Sequence, residues 1–358
     1  MLIYWVCCFL SIGAIHIVKR IRCRYLYMKQ GWLSAFICSL PLFLLSALRY
    51  EVGSDYVSYR EMYHIVNNSD TYRYEILYTE LNRLVYRIGL SFQWVIILTS
   101  FLFLILIYKR ILDDSSIPEI SVFLLLGMCY FFQSTNIIRQ ILACAVCVYS
   151  IKYIEQKKWI KFLVAILIAF GFHKTAFIFL PAYIIYHLQI KTRYLLIAFV
   201  MIFLLAPYIS SFVSFLVIST GFNHGYYHTY FTYTGTNRSA TGLISLAINV
   251  LIYIFGVIYL NKDDVRNNGY MNLQYIAVLL SIFNGMFPMI NRIRFFYGIT
   301  AIILIPRILK CIRKYRLKRV LYTTMIMILF MAYSVYIEGI SNQSGAVPYI
   351  SIFMQEGT

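Results

Sequence analysis

Apolar runs of helix-spanning length recur along the chain, separated by short stretches rich in lysine and arginine. They predict twelve membrane segments, at about residues 2–18, 31–48, 89–108, 119–133, 137–154, 159–172, 175–188, 194–218, 242–260, 270–289, 295–309 and 320–338. The expected fold is all-α, a polytopic integral membrane protein forming a single transmembrane domain over 1–358. Alternating the segments places Lys19, Arg20, Arg22, Arg24, Lys29, Lys109, Arg110, Lys152, Lys157, Lys158, Lys161, Lys191, Arg193, Lys262, Arg266, Arg307 and the basic residues of 310–319 inside, with both termini outside. Residues 2–18 have the length of a secretory signal. No basic residue precedes them and "KRIRCRYLYMK" follows, which is the charge order of a retained anchor.

Two longer segments fall outside, 49–88 and 219–241, followed by a polar tail over 339–358. In the first, "YEILYTELNRLVYRIG" carries apolar residues at 76, 77, 81, 84, 85 and 88, a helical rhythm that predicts an amphipathic or interfacial hairpin. The second, "TGFNHGYYHTYFTYTGTNRSATG", is rich in Gly, Tyr and Thr without a helical period and reads as a flexible lid. The tail holds "EGISNQSGAVPYI", which could fold over the mouth of the bundle. No internal repeat supports the inverted halves of many secondary transporters.

Composition sharpens this picture. The 358 residues are 61% hydrophobic and 13% charged. A net charge of +18 would suit nucleic acid, but the positives lie between apolar spans and act as topology signals, so no nucleic-acid partner is expected. The 33 tyrosines and 27 phenylalanines imply many rings near headgroups or lining an amphipathic cavity. The eight cysteines lie in spans or inside loops, and Cys144 with Cys147 forms a CxxC inside an apolar helix, read as packing with no disulfide or metal site. His64, His224 and His228 sit in external loops as solvated residues, and no histidine pairing suggests zinc.

The basic residues left outside are Arg49, Arg60, Arg73, Arg83, Arg87, Arg139, Lys174, Arg238, Arg292 and Arg294, all but one of them arginine. A guanidinium fork grips phosphate or carboxylate through paired hydrogen bonds, whereas an ammonium is a hydrated point charge. The alternative is that these arginines pair with Glu75, Glu80 and Asp70 to hold a loop. Three of the expected spans are only about 14 residues long, so at ~1.5 Å per residue they fall short of the ~30 Å hydrocarbon core. Their outer turns should be recessed. One holds Arg139 and Gln140 in "STNIIRQILA"; another holds His173 and Lys174 in "AFGFHKTAF". Both are candidates for the floor of an outward-facing chamber, with local bilayer thinning or snorkelling as the alternative. In "INRIRFFYGI", Arg292 and Arg294 are two positions apart, so on a helix at most one faces a cavity.

Several of these stretches together resemble the EpsG-like family, related to the Wzy-type polymerases of bacterial O-antigen, capsule and exopolysaccharide synthesis. They are R-x-x-x-G-x-D-Y-x-x-Y from Arg49 to Tyr59, Glu75 downstream, "IIRQILA" around Arg139, "FHKTAFIFLP" around His173, the late "NRIRFFY" and a closing "VPYI". The resemblance implies a GT-C-like polymerase architecture in the bacterial cytoplasmic membrane with its active site facing the periplasm or cell exterior. Donor and acceptor would be glycans linked to undecaprenyl diphosphate, within membrane lipids, with a chain-length regulator and a flippase as further partners. A hydroxyl of one lipid-linked unit would attack the anomeric carbon of the growing chain and the lipid diphosphate would leave, with no nucleotide sugar, metal or other cofactor. The base would be Asp55, Glu75 or His173, among which the sequence does not choose. Arg49, Tyr56, Tyr59, Arg60, Arg139, Gln140, Lys174, Arg238, Arg292 and Arg294 would bind substrate, the arginines on diphosphate and the tyrosines on sugar faces. Gly53 would let the backbone turn there. An O-antigen ligase, a lipid-linked oligosaccharide flippase and a membrane O-acyltransferase are the rival functions. Charges clustered outside argue against the flippase, and His173 on the outer side argues against an acyltransferase fed from the cytoplasm.

Overall fold

Away from water a chain satisfies its backbone polar groups only within helices or a closed barrel, and helices are what the described residues form. The computed structural model describes residues 1–24, 31–68, 75–219, 240–261, 263–287, 290–312 and 316–357. In chain order the helices are α1 (Leu2–Arg24), α2 (Trp32–Ala47), α3 (Tyr56–Asn68), α4 (Ile76–Arg87), α5 (Phe92–Asp114), α6 (Pro118–Gly127), α7 (Tyr130–Asn136), α8 (Ile138–Glu155), α9 (Trp159–Phe172), α10 (Ala182–Ile185), α11 (Thr192–Ser219), α12 (Ala240–Tyr259), α13 (Val265–Ile282), α14 (Ile290–Gly298), α15 (Ala301–Cys311) and α16 (Arg316–Ser334). Among the described residues the β-pairing amounts to two isolated bridges, Arg49 with Ser351 and Asn284 with Phe287.

By length and composition, α1, α5, α11, α12 and α16 with its extension to Ile340 could cross a membrane. The outward faces of α11 carry Leu196, Leu204, Phe212 and Phe215 exposed, an apolar surface that suits lipid rather than water. Of the other expected spans, 137–154 is the continuous 18-residue α8 and 270–289 is met in part by the 18-residue α13, while the rest are shorter or interrupted. Helices α2 and α9 are apolar but have 16 and 14 residues. The run expected as 119–133 is cut into α6 and α7 where Cys129 takes a left-handed conformation (φ 63°). The run expected as 175–188 is a 3-10 helix over Lys174–Phe179 followed by the single turn of α10, on either side of Leu180 and Pro181. The run expected as 295–309 is divided between α14 and α15. In the stretch 49–88, expected to hold an amphipathic hairpin, the chain forms the two helices α3 and α4. The lid expected at 219–241 lies, but for its ends, outside the described residues.

The chain forms two compact units, Met1–Leu180 with Ile305–Thr358, and Pro181–Leu304. In the first, the stretch after α2 is tied to the segment 344–352. Tyr50 N–H donates to Ile350 O (2.9 Å), Gly53 N–H to Gly345 O (2.9 Å), Ser54 N–H to Ser344 O (3.0 Å) and Ile352 N–H to Leu48 O (3.0 Å). The Tyr4 hydroxyl at the start of α1 donates to Ala346 O (2.6 Å), and Tyr349 donates to Leu45 O (3.0 Å). Glu338 anchors this segment by accepting from the Ser344 amide (3.1 Å) and hydroxyl (2.9 Å). Gly53 makes the crossing possible. Its φ is +107° and a Cβ there would stand 2.3 Å from Thr135 O of α7.

The far end of this unit is held by buried charge. Arg110 of α5 bonds Asp114 (3.2 Å) and Glu155 of α8 (2.5 Å), Asp114 also pairs with Arg307 of α15, and Lys19 of α1 meets Glu119 of α6 at 2.7 Å. Arg110, Asp114, Glu155 and Arg307 are largely withdrawn from solvent here and each faces an opposite charge, as burial requires. In the second unit α12 and α13 pack together, α13 opens on an Asp264 cap that accepts from the amides of Arg266 (2.8 Å) and Asn267 (3.2 Å), and Tyr275 reaches Leu195 O (2.6 Å).

Candidate functional site

Three helix ends converge on one carboxylate in the first unit. Glu75 precedes α4 in an extended conformation, and its side chain turns away from its own helix. Its Oε2 accepts from Nη1 of Arg139, in the first turn of α8. Its Oε1 lies 3.0 Å from Nδ1 of His173 and 3.2 Å from the backbone amide of Lys174. His173 ends α9 with φ −158°, which swings the chain off the helix axis toward Glu75 and into the 3-10 turn. The approach of α4 to α9 depends on Gly171, because a Cβ there would sit 2.6 Å from the Leu77 side chain.

Burial, with the Glu75 side chain 8% exposed, works against its charge. The His173 hydrogen bond and the Arg139 charge outweigh it and hold the carboxyl down from 4.5 to about 2. An ionised carboxylate only accepts hydrogen bonds, so Nδ1 of His173 carries the proton. Nε2 is then the nitrogen left for chemistry. A histidine oriented through one nitrogen by a carboxylate is the arrangement in which the other serves as a base.

Arg139 also lies over two rings, 6.0 Å from the centre of Tyr59 and 5.9 Å from that of Tyr78. Tyr59 is 6% exposed and feels the charges of both Arg139 and Asp55. Asp55, half-buried, is set beside the same turn by its backbone amide, which donates to Asn136 Oδ1 (3.0 Å) at the end of α7. Asp55, Tyr59, Glu75, Arg139 and His173 therefore form one contiguous group, joined by the Lys174 amide, while the Lys174 side chain is exposed.

The other expected site residues are placed differently. Arg49 is 1% exposed, with Nη1 bonded to Ser46 O (2.7 Å), Ser46 Oγ (2.6 Å) and Ser100 Oγ (3.2 Å). Its Nε and Nη2 have no hydrogen-bond partner among the described residues. Tyr56 is buried and its hydroxyl donates to Gln93 (3.3 Å). Arg60 is partly exposed and pairs with Glu51 (2.9 Å) and the Tyr50 hydroxyl (3.2 Å). Gln140 is buried in α8 beside Arg139. Arg292 and Arg294 are half-buried in α14 of the second unit, and Arg238 lies outside the described residues.

The model of the EpsG family matches residues 32–351, a span that contains every residue of this group. The chain belongs to the EpsG family. No curated protein and no solved structure matches the chain. Membership of the EpsG family points to a glycosyltransferase-like polymerase role in polysaccharide biosynthesis. Two features of this EpsG-family site escaped the sequence reading. Tyr78 sits one helical turn after Glu75, on the face that meets Arg139, and that spacing was a usable signal. The rings of Tyr63 and Tyr86 and the amide of Gln93 line a cleft of ≈640 Å³ with Tyr56 and Arg60; they come from separate segments and left no local signal.

Proposed function

We propose that this EpsG-family chain is a polymerase that joins oligosaccharide repeat units carried on undecaprenyl diphosphate, at the outer face of the bacterial cytoplasmic membrane. The observation that carries this reading is the single Glu75 carboxylate shared by Arg139 and His173. It gives one base and one fixed cation side by side, the two things glycosyl transfer from a lipid diphosphate needs. His173 Nε2 takes the proton of the attacking hydroxyl. That oxygen forms a bond to the anomeric carbon as the bond from carbon to diphosphate oxygen breaks, and the departing diphosphate keeps the electron pair. Arg139 meets the growing negative charge with donors already aimed, so no reorganisation is needed at the moment of reaction. Asp55, at the edge of the group, accepts from acceptor-sugar hydroxyls and orients the nucleophile.

The test uses His173→Gln, which keeps the polar shape and removes the base. Loss of a positioned general base costs about 10²–10⁴-fold. Cells bearing it should lose long-chain polysaccharide and accumulate single lipid-linked repeat units, with normal membrane abundance of the protein. Long-chain product from this variant, or failure of the wild type to polymerise purified lipid-linked repeats, would overturn the reading.

A further inference from the structure

Helix α3 presents two stripes of side chains. Tyr59 faces Arg139, whereas Tyr56, Arg60 and Tyr63, spaced four and three residues apart, line the ≈640 Å³ cleft together with Tyr86 and Gln93. That volume lies within the ~300–1,000 Å³ range of small-ligand sites. We infer that this cleft is a saccharide subsite, which holds a sugar of the repeat unit away from the bond being made.

The lining has the chemistry of a sugar. Hexose rings present C–H faces that stack on aromatics and hydroxyl edges that need donors and acceptors. Tyr86 offers an open ring, 46% exposed, at the rim. Behind it the Tyr63 ring stands edge-on at 6.0 Å, with its hydroxyl fixed by Leu90 O at 2.6 Å. Gln93 is fixed by donating to Ala47 O (2.6 Å) and Arg49 O (3.2 Å), so the ring faces and the Gln93 Oε1 acceptor are in place before a ligand arrives. Arg60 is balanced by Glu51 at 2.9 Å, which makes the cleft nearly neutral and suits hydroxyls rather than diphosphate. The continuous helix between Tyr56 and Tyr63 links the subsite rigidly to the group around Arg139.

The inference rests on the polymerase reading only for the identity of the sugar, and the experiment separates the two. The probe is a set of lipid-free oligosaccharides, one to three repeats long, released by partial hydrolysis of the polysaccharide made by the producing cells. Binding is measured by calorimetry on the full chain in nanodiscs. Losing a stacking ring is expected to weaken binding about tenfold in Tyr86→Ala, with Tyr86→Phe close to wild type because the face is kept. Because Tyr86 is at the rim, Tyr86→Ala is expected to keep its fold, and an unchanged melting temperature checks this. Arg139→Lys should bind the oligosaccharides as wild type while losing transfer. No binding by the wild type, or equal binding by Tyr86→Ala, would overturn the subsite. Tyr86-dependent binding in a protein that fails to polymerise lipid-linked repeats would uphold the subsite and sink the polymerase reading.

Discussion

Glu75 does two jobs through one charge: it pairs with Arg139 and it fixes which nitrogen of His173 holds the proton. Its low pKa makes it a poor base, since a carboxylate that releases its proton at about 2 has little tendency to take one near neutrality. In the proposed mechanism the roles are thereby divided, with Glu75 as the orienter and His173 as the base. A carboxyl whose pKa falls on folding adds stability that is complete above its unfolded value and is lost as pH falls through its folded value. Here that window runs from 4.5 down to about 2. Glu75→Gln should therefore cost about 3 kcal/mol near neutral pH, the low end for removing one partner of a buried pair, because Arg139 keeps some exposure. The gap in melting temperature between wild type and variant should shrink as pH falls from 5 toward 2. A gap that stays constant with pH would show that shape, not charge, accounts for the effect.

Helix ends, more than helix bodies, build the site. The start of α4, the start of α8 and the end of α9 meet there, and the loop before α3 is brought to them by the close crossing of Gly53 over α7. Gly53→Ala would place a methyl group 2.3 Å from Thr135 O at a φ of +107°, so neither rotamer change nor side-chain motion relieves it. A loss of about 3 kcal/mol or more is expected from the combined clash and backbone strain. Gly13→Ala in α1, with nothing within 4 Å of the new methyl, should instead be neutral or gain up to about 1 kcal/mol. Denaturation midpoints of the two purified variants check this; equal midpoints would remove the Gly53 crossing from the account. Most of the helices were legible, because apolar runs bounded by basic residues leave few other folds open in lipid. The interruptions were not. The left-handed Cys129 interrupts the run expected as 119–133, which looks continuous, and only tertiary partners fix it, whereas the turn at His173 falls in the gap expected between 159–172 and 175–188. The site was legible as a set of chemically suitable residues at the edges of apolar runs, and Glu75, Arg139 and His173 were all in that set. Their convergence was not, since it depends on packing such as Gly171 against Leu77. Arg49 illustrates the reverse. Its charge and motif marked it for substrate, yet the crossing segment seals it away from water.

The bias of basic residues predicts the sidedness of the chain, and the structure ties separate stretches to one end of the first unit. Tyr4, residues 48–54 and residues 344–352 are joined by hydrogen bonds, so they share an end of the first unit. With native cysteines removed, cysteines at Ser58 and Gln343 should both react with an impermeant thiol reagent in intact spheroplasts, and one at Gln156 between α8 and α9 should not. All three positions are exposed in the folded chain, so accessibility to the reagent reports only the membrane side. Labelling at Gln156 from outside would reverse the topology. The crossing of 344–352 over 48–54 also carries a message about biosynthesis. Residues 344–352 emerge from the ribosome after all the helices they help to cover, so the wall around Arg49 is the last part of the first unit to close. Chains lacking these residues are therefore expected to leave that wall open to water. A cysteine at Val52, only 1% exposed in the folded chain, should thus be reached by the same reagent in released chains truncated before residue 341 and be unreactive in the 358-residue chain.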